Sequence, residues 1–184
     1  MGAISQPNRV LPLIAVFSQY PEAIQWAEET IARNWGPLYK KSIAFDFDNT
    51  NYYDPTMGPG LKKLFFTLTE LMDPGTLIDW KVQSNAWEEE YAALANKPEP
   101  RPLNIDPGYI DLGKLVLAST KDYCHRLYLG KGIYAEITLQ FRNGVWQSHQ
   151  WTFPDYQRAD YQLFFTDVRQ YLHDQRRKLN VKSR

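Results

Sequence analysis

The chain has 184 residues, of which 43% are hydrophobic and 23% are charged, with 21 basic and 21 acidic residues. This length and composition predict a single globular domain over residues 1–184 and exclude a disordered, collagen-like or coiled-coil chain. Because the charges balance, no overall electric field attracts the protein to nucleic acid or to a membrane. We therefore expect no membrane partner, and nucleic acid is disfavoured as a partner without being excluded.

Cysteine usage and the first apolar segment predict the compartment. The single cysteine, Cys124, cannot form an internal disulfide, and no Cys/His spacing typical of a zinc site occurs. The apolar run from Leu11 to Phe17 contains Pro12, is too short for a membrane span and is not followed by the small-residue cleavage site of a signal peptide. We expect a cytoplasmic protein without a membrane anchor.

The first half of the chain alternates strand patterns with helix patterns. A buried strand is predicted over residues 13–18, followed by a helix from Pro21 to the stop signal at Gly36-Pro37. Alternating apolar residues predict a strand over residues 43–47, and another strand is predicted over residues 61–69.

A long amphipathic helix is predicted after Asp73-Pro74. Its polar face carries Lys81, Asn85, Glu88 and Glu89. Its apolar stripe consists of Leu77, Trp80, Ser84, Trp87, Tyr91 and Leu94. Prolines at 98, 100, 102 and 107 then predict a connection without regular structure over residues 96–107.

The second half predicts a β-meander and a final helix. Residues 115–118 fit a strand or a short helix equally well, and this alternative stays open. Alternation over residues 133–141 and the turn signal Asn143-Gly144 predict a hairpin, and an amphipathic helix follows Pro154-Asp155. The element order predicts an α+β fold, with a ferredoxin-like split βαβ core, a C-terminal β-meander and a terminal helix.

The predicted turns place several reactive side chains on one face of the meander. A two-residue turn at Asn143-Gly144 pairs Phe141 with Trp146, Thr138 with His149 and Glu136 with Trp151, and a two-residue turn at Gly130-Lys131 places His125 opposite Glu136. A carboxylate beside a histidine can orient the imidazole for proton transfer. We expect Lys121 and Arg126 to converge on Glu136 as exposed ion pairs, which contribute little to stability and are suited to recruit an anion.

Two segments resemble catalytic motifs in part. The segment Phe45-Asp46-Phe47-Asp48-Asn49-Thr50 matches the opening motif of haloacid dehalogenase-type phosphatases, but the paired acidic magnesium site that this family needs downstream does not follow. The segment Gly108 to Leu115 is one residue short of a phosphate-binding loop, because Leu115 stands where that loop needs Ser or Thr. We expect no metal and no cofactor, and only weak binding of GTP with Mg²⁺.

A set of ordered motifs extends over nearly the whole chain. It consists of Thr50-x-Tyr52-Tyr53, Asn104-x-Asp106-Pro107-Gly108-Tyr109, Lys114 to Lys121, His125-Arg126, Gly132 to Glu136, and Trp151 to Tyr156. Together these motifs resemble the bacterial domain-of-unknown-function family 4416. Some members of that family carry a GTP-binding label, which the nucleotide-binding motifs of this sequence do not support. The resemblance implies no established reaction.

Two functions from different classes fit these observations, and the sequence does not decide whether the protein is an enzyme. The first is binding of a small anionic or nucleotide-like ligand by Lys81, Asn85, Glu89, Asp106, Tyr109, Lys121, His125, Arg126, Tyr134, Glu136, Asp155 and Tyr156. The alternative is a noncatalytic module whose polar and aromatic sheet face docks a protein or RNA. A phosphatase acting through Asp46 and Asp48 is a minor alternative.

Overall fold

A computed structural model describes residues 2–47 and 53–182, with side chains as far as Leu179. In this part of the chain nine strands form one antiparallel sheet: β1 (Leu11–Ser18), β2 (Leu38–Lys41), β3 (Phe45–Asp46), β4 (Lys62–Leu68), β5 (Asn104–Ile110), β6 (Lys114–Ser119), β7 (Leu127–Gly130), β8 (Ile133–Arg142) and β9 (Val145–Ser148). The helices are α1 (Pro21–Trp35), α2 (Asp54–Met57), α3 (Leu77–Ala95) and α4 (Ala159–Lys182), with short 3-10 turns at Pro74–Thr76 and Pro154–Gln157. The predicted α+β class is confirmed.

The strand order of the described sheet is β2-β4-β1-β5-β6-β8-β7, with β3 beside β4 and β9 beside β8. Helix α1 connects β1 to β2, and α3 connects β4 to β5. This order is compatible with the ferredoxin-like core, which stays a prediction.

Among the helices of residues 2–47 and 53–182, none combines the length and the apolar character needed to cross a membrane.

The sheet lies between two layers of helices. Ile14 and Val16 of β1 pack with residues of α1 and α3, whereas Leu13 and Ala15 pack with residues of α4. All eight residues of β1 are buried. A strand covered on both faces needs an apolar side chain at nearly every position, which explains the continuous apolar run at the start of the sequence. We call the two sides of the sheet the α3 face and the α4 face.

The proline-rich connection is shorter than predicted, because β5 begins at Asn104 and contains Pro107. The amide N–H and carbonyl groups of Ile105 bond to side chains of α3, so they point away from β1. The backbone polar groups of successive strand residues point in opposite directions, so those of Pro107, two residues after Ile105, also point away from β1. Strand β6 joins β5 only from Gly108 onward, so the N–H that proline lacks is not needed by the ladder.

The seam between β5 and β6 is short and tight. It consists of the three residue pairs Gly108–Leu117, Tyr109–Val116 and Ile110–Leu115. A Cβ atom at Gly108 would lie 2.3 Å from the carbonyl oxygen of Val116, so only glycine permits this approach. The ladder also resolves the open alternative for residues 115–118, which form part of β6 rather than a helix.

Several predicted boundaries are wrong. The strand predicted over residues 43–47 is reduced to Phe45–Asp46, and Ile43 is 73% exposed, while β2 was not predicted. Ile43 lies between the two short strands, so its apolar side chain belongs to neither face of the sheet. On α3 the predicted stripe ends early, since Leu94 is 66% exposed.

The register of the meander is predicted correctly at one turn and wrongly at the other. Phe141 pairs with Trp146 across Asn143-Gly144, as expected, although β9 ends at Ser148 and the ladder pairs proposed for Thr138 and Glu136 do not form. At the other turn Leu127 pairs with Ala135, one residue away from the predicted register. Gly130 pairs with Ile133, so the loop is the two-residue turn Lys131-Gly132, one position further along than predicted, and both of its residues have positive φ. A further register shift lies between Tyr128 and Gly130.

A tyrosine–carboxylate contact attaches the proline-rich segment to the start of α1. The Tyr20 hydroxyl donates to Glu99 Oε2 at 2.5 Å, and this bond, with burial and the charge of Glu99, raises the pKa of Tyr20 to about 12. We expect Glu99→Gln to return that pKa towards its ordinary value of about 10. A pH titration followed by NMR of ring-labelled tyrosine measures this change, and Glu29→Gln is the control.

The sign of the pH effect follows from the raised pKa. The unfolded chain loses the Tyr20 proton first, so the contribution of this bond to stability is complete below about pH 10 and disappears as the pH rises through about 12. A Tyr20 pKa that is the same in the Glu99→Gln variant would contradict the contact.

Candidate functional site

Six charged side chains form three ion pairs at one end of the α4 face. We call them the charged cluster: Lys63, Lys81, Asp106, Arg126, Glu136 and Asp155. In the ladders Lys63 lies opposite Phe17, Asp106 opposite Ala15, and Glu136 opposite Leu117. Directly opposed residues share a face of the sheet. Since Ala15 and Leu117 belong to the core under α4, the cluster adjoins that core.

Lys63 and Asp155 form the first ion pair. Their side-chain atoms Nζ and Oδ2 are 2.6 Å apart, and each side chain is 5% exposed. The Lys63 ammonium also lies 4.3 Å from the ring centre of Phe47, 4.9 Å from Tyr156 and 5.1 Å from Phe17. Aromatic faces stabilise a cation that has left water. The turn at Pro154–Gln157 supplies both Asp155 and Tyr156.

Lys81 and Asp106 form the second ion pair, across the gap where β5 has not yet joined β6. Lys81 Nζ donates to Ile105 O at 3.1 Å and to Asp106 Oδ1 at 2.9 Å, and Asn104 donates to Asp106 Oδ2 at 2.7 Å. Burial alone would raise the pKa of Asp106, but Lys81, Lys63 and Asn104 hold it below its ordinary value. The Asp106 side chain is still 31% exposed, so solvent reaches this part of the cluster.

Glu88 connects α3 to the start of β5. Its Oε1 accepts the Ile105 N–H at 2.7 Å, and Arg101 lies 3.1 Å from its Oε2. Burial raises the pKa of Glu88, against the opposing effects of Lys81 and Arg101. The prediction of a separate polar face is therefore wrong for Lys81 and Glu88, which point towards the sheet because β5 leaves backbone groups there that need partners.

Arg126 and Glu136 form the third ion pair. Arg126 Nε donates to Glu136 Oε2 at 2.9 Å, while its Nη1 donates to Ser119 Oγ at 2.7 Å and to Lys121 O at 3.0 Å. Thr138 donates to the other carboxylate oxygen at 3.1 Å. The side chains of Arg126 and Glu136 are 5% and 1% exposed, so the expectation of an exposed ion pair is wrong. Core residues such as Leu117 lie beside Glu136 and exclude water.

His125 adjoins the same carboxylate. Its Nε2 lies 3.2 Å from Glu136 Oε2, which confirms the predicted proximity although β7 begins only at Leu127. The imidazole is part of a row of stacked rings in the order Tyr123, His125, Trp151 and His149. Successive ring centres are 5.9, 5.3 and 4.8 Å apart, and the interplanar angles are 14°, 8° and 9°. Trp151 is anchored by its Nε1, which donates to Ile137 O at 2.9 Å.

Tyr156 connects the parts of the cluster. Its ring is almost fully buried. Burial, followed by the charges of Asp155, Asp106 and Glu136, holds the pKa of the Tyr156 hydroxyl well above its ordinary value. Carboxylates from all three ion pairs therefore act on one phenol, which stays protonated at neutral pH.

The structure brings together most of the predicted site residues, namely Lys81, Asp106, His125, Arg126, Glu136, Asp155 and Tyr156. Tyr109 neighbours Gly108, which shares a face with Leu13 and Leu117, so it lies on the α3 face instead, where it packs with Val116. Tyr134 packs against Tyr128, with ring centres 5.2 Å apart.

The remaining predicted residues lie outside the charged cluster. Lys121 is exposed and contributes its backbone carbonyl to Arg126. Asn85 and Glu89 lie on α3 and form none of the hydrogen bonds described above, and Glu89 is exposed.

Sequence reasoning missed four polar residues, Lys63, Glu88, Arg101 and Asn104. A signal existed for Lys63, because alternation in the strand Lys62-Lys63-Leu64 must turn one of the two lysines inward, and for Asn104, which belongs to the same family motif as Asp106.

The predicted catalytic motifs have other positions. Asp46 forms an exposed ion pair with Lys62, and Asp48 lies outside the described residues. The segment resembling a phosphate-binding loop runs from β5 into β6, with Leu115 fully buried in the core. In residues 2–47 and 53–182 there is no group of three or more His, Cys, Asp or Glu side chains that could hold a metal ion.

Comparison with known proteins assigns the family. A family model described as "Domain of unknown function (DUF4416)" matches residues 8–171. No curated protein and no solved structure matches the chain. The matched segment includes every residue of the charged cluster and of the ring stack, and the chain therefore belongs to the DUF4416 family.

Proposed function

We propose that the charged cluster binds a small anionic ligand at Arg126. The observation that supports this most directly is the incomplete pairing of the guanidinium group. Its Nε and Nη1 are fixed by three acceptors, whereas Nη2 has no hydrogen-bond partner in the described residues and keeps slight contact with solvent, although the side chain as a whole is only 5% exposed. The N–H groups of Nη2 are then left to donate charge-assisted hydrogen bonds to a carboxylate or a phosphate oxygen.

The energetic cost of the cluster also supports a functional role. Ion pairs buried to this degree seldom stabilise a fold more than apolar residues of the same size would, because both ions lose their hydration. Here two such pairs, with a third whose Asp106 is partly exposed, lie beside an apolar core and near a tyrosine with a strongly raised pKa. Concentrations of perturbed ionisable groups are typical of binding and catalytic sites.

A nucleotide-like ligand is the more specific form of this proposal. The Arg126 guanidinium lies 4.9 Å from the ring centre of Tyr123, and Tyr123 and Trp151 are 55% and 39% exposed. A planar base would contact the exposed edges of these rings while its phosphate binds Arg126, since His125 and His149 stack on Trp151. The buried Leu115 gives no support to a phosphate loop of the kind that binds GTP with Mg²⁺.

The test is a panel of anions measured by thermal shift and calorimetry. Inorganic phosphate, citrate, AMP, and GTP with and without Mg²⁺ serve as probes. We expect at least one of them to raise the melting temperature, since a ligand of the native state stabilises it. We also expect Mg²⁺ to leave the affinity for GTP unchanged.

The matched variants are Arg126→Lys, which keeps the charge and loses the fixed Nη2 donor, and Arg142→Lys beside the exposed hairpin turn. Arg126→Lys is expected to weaken binding about tenfold or more, and Arg142→Lys to leave it unchanged. Absence of binding across the panel, or full affinity in Arg126→Lys, would count against the proposal.

A docking surface for a macromolecule is the second candidate, favoured by one observation. Strand β7 lies at the edge of the described sheet, and its residues Leu127 and Tyr128 are 75% and 63% exposed. An open sheet edge with apolar side chains suits the addition of a strand from a partner. A protein that binds no small anion in the panel above would favour this candidate.

A further inference from the structure

We infer that the ligand carries a hydroxyl group close to its anionic group, and that His125 Nδ1 accepts a hydrogen bond from that hydroxyl. This inference rests on the proposed anion site and adds the class of ligand. It follows from three properties of His125: its tautomer, its fixed ring and its position beside Arg126.

The tautomer follows from the partner of Nε2. Glu136 is paired with Arg126 and therefore ionised, so both of its oxygens can only accept hydrogen bonds. His125 Nε2, at 3.2 Å from Glu136 Oε2, must then carry the proton. In the neutral imidazole the other nitrogen, Nδ1, is left as an acceptor.

The ring cannot easily turn away from this orientation. It lies between Tyr123 and Trp151, nearly parallel to both, and Trp151 is itself anchored to Ile137 O. Nδ1 has no partner in the described part of the chain, and the His125 side chain is 14% exposed. The protein therefore offers solvent a fixed acceptor whose hydrogen-bonding capacity is unused.

The position of this acceptor determines the ligand class. His125 and Arg126 are consecutive residues and both bond to the same atom, Glu136 Oε2, at 3.2 and 2.9 Å. One carboxylate oxygen thus fixes both the arginine that would hold the anion and the histidine whose other ring nitrogen would accept from the hydroxyl. Hydroxy acids and phosphate esters of polyols share this chemistry. A site built around a hydroxyl discriminates strongly against the analogue that lacks it.

The first measurement needs no ligand. Two-dimensional NMR of ¹⁵N-histidine-labelled protein, recorded well above the ordinary histidine pKa of about 6.5, reports which ring nitrogen carries the proton. We expect His125 to carry it on Nε2. A proton on Nδ1 would overturn the inference.

The second measurement compares matched ligands by calorimetry: glycerol phosphate with propyl phosphate, and lactate with propanoate. We expect the hydroxylated member of at least one pair to bind the wild-type protein about tenfold more tightly. The preference should vanish in His125→Phe, which keeps a ring in the stack, and persist in His173→Phe, an exposed histidine of α4. Both members of a pair should weaken in Arg126→Lys.

The outcomes separate the inference from the proposal on which it rests. Equal binding within both pairs, or a hydroxyl preference that survives in His125→Phe, overturns the inference and leaves the anion site standing. Binding of inorganic phosphate without binding of either hydroxylated compound does the same. A protein that binds no anion at all overturns both.

Discussion

Asp155→Ala is expected to lower the free energy of unfolding by about 3–5 kcal/mol, because it leaves the Lys63 ammonium buried without a counter-ion. Asp155 is the one hydrogen-bond acceptor that the described residues provide for Lys63, whose side chain is 5% exposed. The aromatic rings around the ammonium cannot replace a full negative charge. Urea unfolding followed by circular dichroism measures the loss.

Two further variants isolate the cause. Asp46→Ala removes the partner of the neighbouring Lys62, whose ion pair is exposed, and should change stability little. The double variant Lys63→Met, Asp155→Leu removes both charges and should recover most of the loss, since apolar residues of similar size can replace a buried pair. A loss in Asp155→Ala no larger than in Asp46→Ala would show that Lys63 finds water or another partner.

Glu136→Ala is expected to destabilise the protein by a similar amount, about 3–5 kcal/mol. The carboxylate accepts hydrogen bonds from Arg126, His125 and Thr138, and its side chain is 1% exposed. Its removal leaves the Arg126 guanidinium buried without its counter-ion. Thermal and urea unfolding measure the effect.

Glu136→Gln serves as the conservative comparison, because it retains an acceptor oxygen, and it should lose less stability than Glu136→Ala. Glu89→Ala, on the exposed side of α3, should lose almost none. Equal stability of Glu136→Ala and Glu89→Ala would mean that Arg126 is hydrated in solution, contrary to the burial described above.

The elements of the fold could largely be predicted from periodicity, and the failures have identifiable physical causes. The turn at Asn143-Gly144 sets its own register, so Phe141 and Trp146 were paired correctly. Pro107 was excluded from a strand because a proline disrupts a central ladder. The backbone polar groups beside it face the gap where β6 has not yet joined β5, and Lys81 of α3 bonds to one of them there. Such a long-range contact cannot be read from the local sequence pattern.

The candidate site was predictable only where its residues lie near each other along the chain. His125, Arg126 and Glu136 belong to adjoining segments, and approximate turn geometry was enough to bring them together. Lys63 and Asp155 are 92 positions apart, and their contact depends on how the turn before α4 lies against β4. No periodicity in the sequence carries that information.

The short seam between β5 and β6 has a consequence for how the protein folds while it is being synthesised. Three residue pairs join the two parts of the sheet, whereas α4 belongs to a core that includes both Phe65 of β4 and Trp146 of β9. Because α4 follows every strand along the chain, the ribosome delivers it after the sheet it must cover. Leu11 and Leu13 of β1 therefore acquire their covering helix only after all the described strands have been synthesised. The α4 face of the nascent protein is thus the surface on which a chaperone would find its apolar side chains exposed for longest.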